Sequence, residues 1–590
     1  MSEFFKKLNQ YLTLKNVSGA SLILNLACII FGILYIAIPV YLFLWEIFGA
    51  ILLITLFGNF LLVFLSSSRV NKATKLGNKL RILNYSYLIF LILAMVPLIL
   101  LNFLISVTYS NALIDNIWGY LGVYSLYFGI FVFGLLIAYF IFQKREDREL
   151  WGTEGTESLS LSDRTLTMRK ILKIILGILS LLFLGVGIFF SFAMLAGIWA
   201  LGIILPHFAF AYALMFLSAT IILLKLLKPR QNTKLYYAIT LIGLIVTAIH
   251  LTPLALTPYS VYSGDQNFSL AFGNDWHSKI DPDIEQEYFL QSAFWIPGYF
   301  LGIPPKDCNY KADVLYFDGS ESNYSQDEDI KLYYDVFWPK EDKNDMPGIV
   351  DGKHAVIIKI HGGSWRYGDK GIGHMMQVNK YFASQGYAVF DIQYGLKDTG
   401  EAASDPLAAI TPDNVKGDFD IDDMVRHIGN FTKYLPSVED KYDLNLDYVF
   451  VNGGSAGGHL TCTTGLGIAS GDYISYFGDN LTIKGIIPIY PANGYSGLDG
   501  KKAFKNPEKY LIEKDTPPML IYQGTHDFVC AEVSRNIKEA YAEEDNDECC
   551  IIWLPLAGHA NDLYFSGYYS LPFLYYWERF MYLTIEGEIE

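Results

Sequence analysis

The chain has 590 residues and a formal charge of −16, with 52% hydrophobic and 18% charged residues. That charge excludes a nucleic-acid binder, which needs a clustered basic surface, and the charged share falls below the roughly 25% of an average soluble domain. Six cysteines over such a length do not make a disulfide framework, and no Cys/His pair has the spacing of a metal site.

Almost all of the apolar excess lies before about residue 257, which divides the chain into a helical transmembrane region (1–257), a connecting region rich in aromatic and polar residues (258–310) and a globular region (311–590). A membrane span needs about 20 mostly apolar residues to cross a hydrocarbon layer about 30 Å thick. Seven runs qualify, at about 21–42, 47–66, 83–106, 117–142, 171–192, 205–227 and 236–257. The fifth and sixth share one apolar stretch from Ile171 to Leu227, so six to eight spans fit the pattern.

Basic residues cluster in alternate connections. They are Lys6, Lys7 and Lys15 before the first span; Arg69, Lys72, Lys75, Lys79 and Arg81 after the second; Lys144, Arg145, Arg148, Arg164, Arg169 and Lys170 after the fourth; and Lys228, Arg230 and Lys234 after the sixth. The connection 107–116 has no Lys or Arg. Because basic loops stay in the cytoplasm, seven spans place the N-terminus on the cytoplasmic side of the cell membrane and the globular region on its outer side. The first apolar run starts late and lacks a small-residue cleavage site, so it reads as an anchor. Glu46, His207, His250, Lys173 and Lys225 all lie near span ends, where a transporter would bury ionisable groups deeper. The helices are therefore expected to anchor the globular region in the bilayer, with sensing, channel or lipid-handling roles as alternatives.

In the globular region, 312–318 and 330–338 read as a β-hairpin across a polar turn. Apolar strands follow at 354–360, 386–392, 448–452, 483–489, 519–522 and 550–554, with a helical pattern across 418–434. Strands alternating with helices predict a mostly parallel sheet covered by helices. Its site is expected at the carboxyl ends of the strands.

Four motifs occupy such ends. Gly453-Gly454-Ser455-Ala456-Gly457 follows the strand 448–452, and its small residues suit the sharp turn that exposes a serine nucleophile. His361-Gly362-Gly363-Ser364-Trp365 follows 354–360, and the amides of Gly362, Gly363 and Ser364, with that of Ala456, are candidate donors to an oxyanion. His361 itself reads as structural. A serine nucleophile needs a base, and the base an orienting acid. Asp527, after 519–522, is the candidate acid, and His559, after 550–554, the candidate base. Asp562 is the alternative acid.

In this order the motifs resemble the α/β-hydrolase fold, and within it the esterases and lipases with a His-Gly-Gly oxyanion motif, including the hormone-sensitive-lipase-like and the bifunctional feruloyl and acetylxylan esterase types. The runs that carry the resemblance are 361–370, 386–394, 453–460, 524–527 and 558–559. Two positions depart from it: Ser364 stands for the usual third glycine, and Gly454 precedes the serine where hormone-sensitive-lipase-like members often have Asp. The resemblance implies a serine hydrolase that forms an acyl-enzyme on Ser455, with no cofactor or metal. An ester on a lipid, on a cell-envelope polymer or on an imported compound is the expected substrate. An acyltransferase, a serine peptidase and a sensor whose globular domain only binds ligand are the other classes. The resemblance does not extend to the membrane half.

Overall fold

The computed structural model describes residues 13–589 apart from 39, 72–73, 108–116, 152–162, 228–232, 304–306, 342–344, 372–374, 401–409 and 529. Lys6, Lys7, Lys72, Lys228 and Arg230, and positions 108–116 of the loop without basic residues, lie outside the described residues.

Among the described residues, seven helices long and apolar enough to cross a membrane make up the N-terminal half. They are α1 (Leu14–Ala37), α2 (Leu44–Arg69), α3 (Lys75–Ser106), α4 (Ile117–Gln143), α5 (Asp163–Leu195), α6 (Trp199–Leu226) and α7 (Thr233–Ala255). Thr13 and Thr74 cap α1 and α3 by accepting from amides three residues on, which satisfies donors that a helix start leaves over. Polar side chains tie the bundle internally. Asn25 of α1 and Asn59 of α2 exchange two amide hydrogen bonds at 2.8 and 2.9 Å. Gly134 of α4 makes room for the pair, since a Cβ there would lie 2.3 Å from the Asn25 oxygen.

The globular half is built on one twisted sheet. Its strands are β1 (Asn309–Asp318), β2 (Lys331–Trp338), β3 (Ile349–Val350), β4 (Lys353–Ile360), β5 (Ala388–Ile392), β8 (Leu444–Gly454), β9 (Ile483–Ile489), β10 (Met519–Gly524) and β11 (Cys549–Leu554), while β6 (Leu396–Lys397) and β7 (Lys416–Gly417) pair apart from it. The order is β1-β2-β5-β4-β8-β9-β10-β11, with β3 on β4. β1 and β2 form the expected antiparallel hairpin, and β2 is also antiparallel to β5. From β5 through β11 the neighbours along this path are parallel. These strands are buried on both faces, as in β4, where seven of eight residues are buried. The helix Ile421–Tyr434 starts at a capping box of Asp420 and Asp423.

The stretch 258–310 folds as part of the body that it joins. Helix α8 (Thr257–Phe272) follows α7 almost without a break, and its Asn267 donates to the Ile551 carbonyl of β11 at 3.0 Å. Further on, Glu285 and Leu290 meet the last helix, Ser570–Ile585. Arg579 there is fully buried between Glu285 (2.6 Å) and Glu578 (2.8 Å), and the Leu290 amide donates to Glu578 at 2.8 Å. The short helix Ile296–Leu301 then enters the end of the bundle: Asn102 of α3 donates to the Phe300 carbonyl at 2.8 Å, and Tyr35 of α1 to that of Gly302 at 3.0 Å. The globular half thus meets the C-terminal ends of α1 and α3 and, where Tyr299 donates to the His207 carbonyl at 3.2 Å, the first half of α6. The basic residues Lys75, Lys79 and Arg81 sit at the other end of α3.

Candidate active site

The strands β4, β8, β10 and β11 end at the same edge of the parallel sheet, with β9 between β8 and β10, and each delivers one part of the site. After β8 the chain turns abruptly into the helix Ala456–Ala469. Ser455 occupies this turn with φ 58° and ψ −120°, a conformation that side chains rarely adopt and that the surroundings must impose. Here they do. A Cβ at Gly453 would lie 2.3 Å from the Ile360 carbonyl oxygen, and one at Gly457 2.2 Å from the same atom. The Ser455 amide donates to Ile489 at 2.9 Å and its carbonyl accepts from His459 at 2.9 Å.

The structure brings Ser455, His559 and Asp527 into one hydrogen-bonded line. His559 Nε2 lies 2.8 Å from Ser455 Oγ, and His559 Nδ1 lies 2.9 Å from Asp527 Oδ2. A carboxylate only accepts, so Nδ1 carries the proton and Nε2 is left to accept from the hydroxyl. Asp527 is buried. Burial pushes its carboxyl up, but the hydrogen bond and charge of His559, the Cys530 amide and Gln523 outweigh this and hold it below the usual carboxylate range. Gln523 is itself fixed by Ser534, which donates to it at 2.6 Å. Asp562, the alternative acid, instead accepts from Tyr490 at 2.6 Å. The Tyr490 ring packs 4.7 Å from the His559 ring.

The turn after β4 lies beside the serine. A Cβ on Gly362 would come 3.4 Å from Ser455 Cβ and 2.6 Å from the Gly454 oxygen, so only glycine lets this backbone approach. Ser364 and Trp365 both take positive φ, 56° and 61°. Trp365 anchors the turn by donating to His459 Nδ1 at 3.2 Å, and His459 Nε2 donates to the Phe504 carbonyl at 2.7 Å. That arrangement requires a neutral imidazole, and burial lowers the His459 pKa to about 4. His361 is buried and stacked on Tyr394 at 4.5 Å, and Tyr394 donates to its carbonyl. Ala456 opens the next helix, where the first four amides lack intrahelical acceptors.

Asp527, Cys530 and His559 also bring three ligand-type atoms within 4.8 Å of one another. Burial, with the Asp527 charge adding to it, pushes the Cys530 thiol well up, and His559 Nδ1 is already engaged by Asp527 Oδ2 at 2.9 Å. Sequence reasoning did not single out Gln523, Tyr490 or Cys530. Tyr490 had a usable signal, since it directly follows β9 in the way that the four motifs follow their strands. Gln523 and Cys530 act only through Asp527 and His559 and carry no pattern of their own.

The BD-FAE family model matches residues 335–511, a span that holds the 361–365 turn and Ser455 and stops before Asp527. No curated protein matches the chain. Among solved structures, esterase B from Lactobacillus rhamnosis, inhibited by a tributyrin phosphonate, is similar at 21% identity over 48% of this chain and 88% of that one, with a TM-score of 0.36. Thermogutta terrifontis esterase 2, phosphorylated by paraoxon, is similar at 19% identity over 43% and 84%, with a TM-score of 0.32. Residues 335–511 are a BD-FAE domain, and the globular half of the chain is an α/β hydrolase of the esterase type.

Proposed function

We propose that the protein is a membrane-anchored carboxylic ester hydrolase that works through an acyl-enzyme on Ser455. The observation that carries this is the line from Ser455 Oγ through His559 to Asp527, at 2.8 and 2.9 Å. Ser455 Oγ attacks the ester carbonyl while His559 Nε2 takes its proton, and Asp527 steadies the imidazolium. The carbonyl oxygen becomes an oxyanion, for which the amides of Gly362, Gly363, Ser364 and Ala456 are the donors. Its collapse expels the alcohol, which receives the proton from His559. Water, deprotonated by the same nitrogen, then releases the acid and restores the serine.

The seven apolar helices support insertion in a bilayer, and the basic residues in alternate connections support a cytoplasmic N-terminus. With the globular half at the end of the bundle away from Lys75, Lys79 and Arg81, its site works on the outer face. An ester on a lipid, an envelope polymer or an imported compound is the substrate in reach there. The test is a panel of p-nitrophenyl esters from acetyl to dodecanoyl, given to the full chain in detergent micelles. Ser455→Ala is expected to lower kcat by at least about 10⁴-fold, and hydrolysis that persists in that variant sinks the mechanism.

A further inference from the structure

The acid and base loops do not rest on the sheet alone. Gly558, which precedes the candidate base, lies against the backbone of α6: a Cβ there would be 2.7 Å from the Gly202 carbonyl oxygen. Pro206, four residues along α6, has no N–H to give that carbonyl, so the helix backbone is opened where the loop touches it. At the next residue, His207 Nε2 lies 3.2 Å from the carbonyl oxygen of Ala560, which follows His559. A carbonyl only accepts, so Nε2 carries the proton and donates. The Pro206 carbonyl accepts from Tyr568, farther along the same loop. The acid loop meets the turn before α6, where a Cβ on Gly197 would be 2.5 Å from the Phe528 ring.

These contacts fall on a segment that needs holding. Leu556 and Ala560, on either side of His559, both take left-handed φ, 64° and 51°. Neither is glycine, and such residues keep that conformation only where neighbours impose it. On the side toward the sheet, the Leu556 amide donates to Thr525 Oγ1 at 3.0 Å and Asn561 donates to the Gly558 carbonyl at 3.1 Å. On the other side the imposing neighbour is α6.

We propose that His207 is a positioning residue for His559: its hydrogen bond to Ala560 sets the imidazole at hydrogen-bonding reach of Ser455, and α6 is thereby a working part of the esterase site as well as of the anchor. The inference rests on the reading of His559 as the general base. A displacement of about 1 Å at a reacting group is enough to cost on the order of 10²-fold in rate.

The experiment uses the full chain in detergent micelles with p-nitrophenyl butyrate, and compares His207→Ala, His207→Phe and His207→Gln with wild type and Ser455→Ala. Phe keeps a ring and loses the donor, whereas Gln keeps an N–H donor. The expected result is a kcat lowered on the order of tenfold or more in His207→Ala and His207→Phe, with KM within about twofold, and a kcat restored in His207→Gln. Wild-type kcat in His207→Phe overturns the proposal. So does a His207→Gln variant that melts like wild type yet stays as slow as His207→Phe, since the donor would then not matter. Failure of the esterase reading has a different signature: wild type inert toward the ester, or Ser455→Ala as active as wild type.

Discussion

Helices α5 and α6 are neighbours in sequence and both strongly apolar, yet 22% of the apolar stretch of α5 is buried and 78% of that of α6. Hydropathy does not separate them, because lipid tails are as apolar as leucine and a helix in a bilayer gains little by hiding its apolar side chains. What separates them is their place in the bundle. Both carry small residues, Gly185 and Gly187 in α5 and Gly202 and Ala209 in α6, but α6 packs against α3, α5 and α7, whereas α5 packs mainly against α6 and turns Leu172, Ile174, Ile178 and Leu182 outward. In the globular half water makes the distinction instead, so its apolar strands are buried and its motifs stand at their ends. The membrane half therefore divides into helices that face outward and one that reaches the site.

The sharpest way to set the two halves apart is at the chemistry itself. The proposed role of Asp527 predicts that Asp527→Asn lowers kcat by about 10⁴-fold, because an amide leaves His559 in the wrong tautomer. Steady-state ester hydrolysis measures this. The same substitution has a pH signature in stability. The Asp527 carboxyl is held below its usual range in the folded protein, so its contribution is complete above about pH 4 and is lost as the pH falls through the lowered value. The difference in unfolding free energy between wild type and Asp527→Asn is thus expected to shrink below about pH 4.

A second break lies at the seam. Arg579 is buried against Glu578 and Glu285, and Arg579→Ala leaves Glu578 as an uncompensated buried charge. A loss of about 3–5 kcal/mol in denaturant unfolding of the globular half is expected. A loss under 1 kcal/mol would mean that the segment around 285–290 is held mainly by packing.

The sheet and the three polar side chains at its centre were legible in the sequence because local patterns specify them. Lys353–Ile360 is an apolar run ending at glycines, and Ser455 has glycines at the positions where any side chain would strike Ile360. The stretch 258–310 was not legible as a packed unit. Along α8, Asn267 and Asp265 are polar in any water-facing reading, yet they hydrogen-bond to Ile551 and Tyr576 on elements that arrive hundreds of residues later. His207 is the same case. In its apolar run it reads as a residue near a helix end, and the carbonyl that it meets lies 353 positions away. Contacts of that range leave no periodicity, so only the folded chain reveals them.

Within the bundle the comparison is sharpened by two leucines. Leu214 of α6 is wholly buried, and Leu182 of α5 is 61% exposed. Leu214→Ala opens a cavity among packed helices and is expected to cost about 2–5 kcal/mol. In Leu182→Ala detergent or lipid fills the space, and the thermal midpoint of the full chain is expected to hold within error. Equal losses at both positions would mean that α5 has a protein partner on the face that it turns outward.

The smallest effect is expected at Ser364, where the globular half departs from the glycine of the esterase motif. Its φ of 56° lies in the left-handed region, which costs a non-glycine residue about 1–2 kcal/mol. Glycine would remove that strain but would lose about 0.5–1 kcal/mol through its freer unfolded chain. Ser364→Gly is therefore expected to raise stability by about 0.5 kcal/mol in urea unfolding. Because the backbone amide at 364 is unchanged by the substitution, kcat is expected to stay within about twofold, in line with a role in which the donor is the amide and not the hydroxyl. A kcat loss of tenfold would instead assign the Ser364 hydroxyl to the oxyanion, and would make this departure from the family motif a functional one.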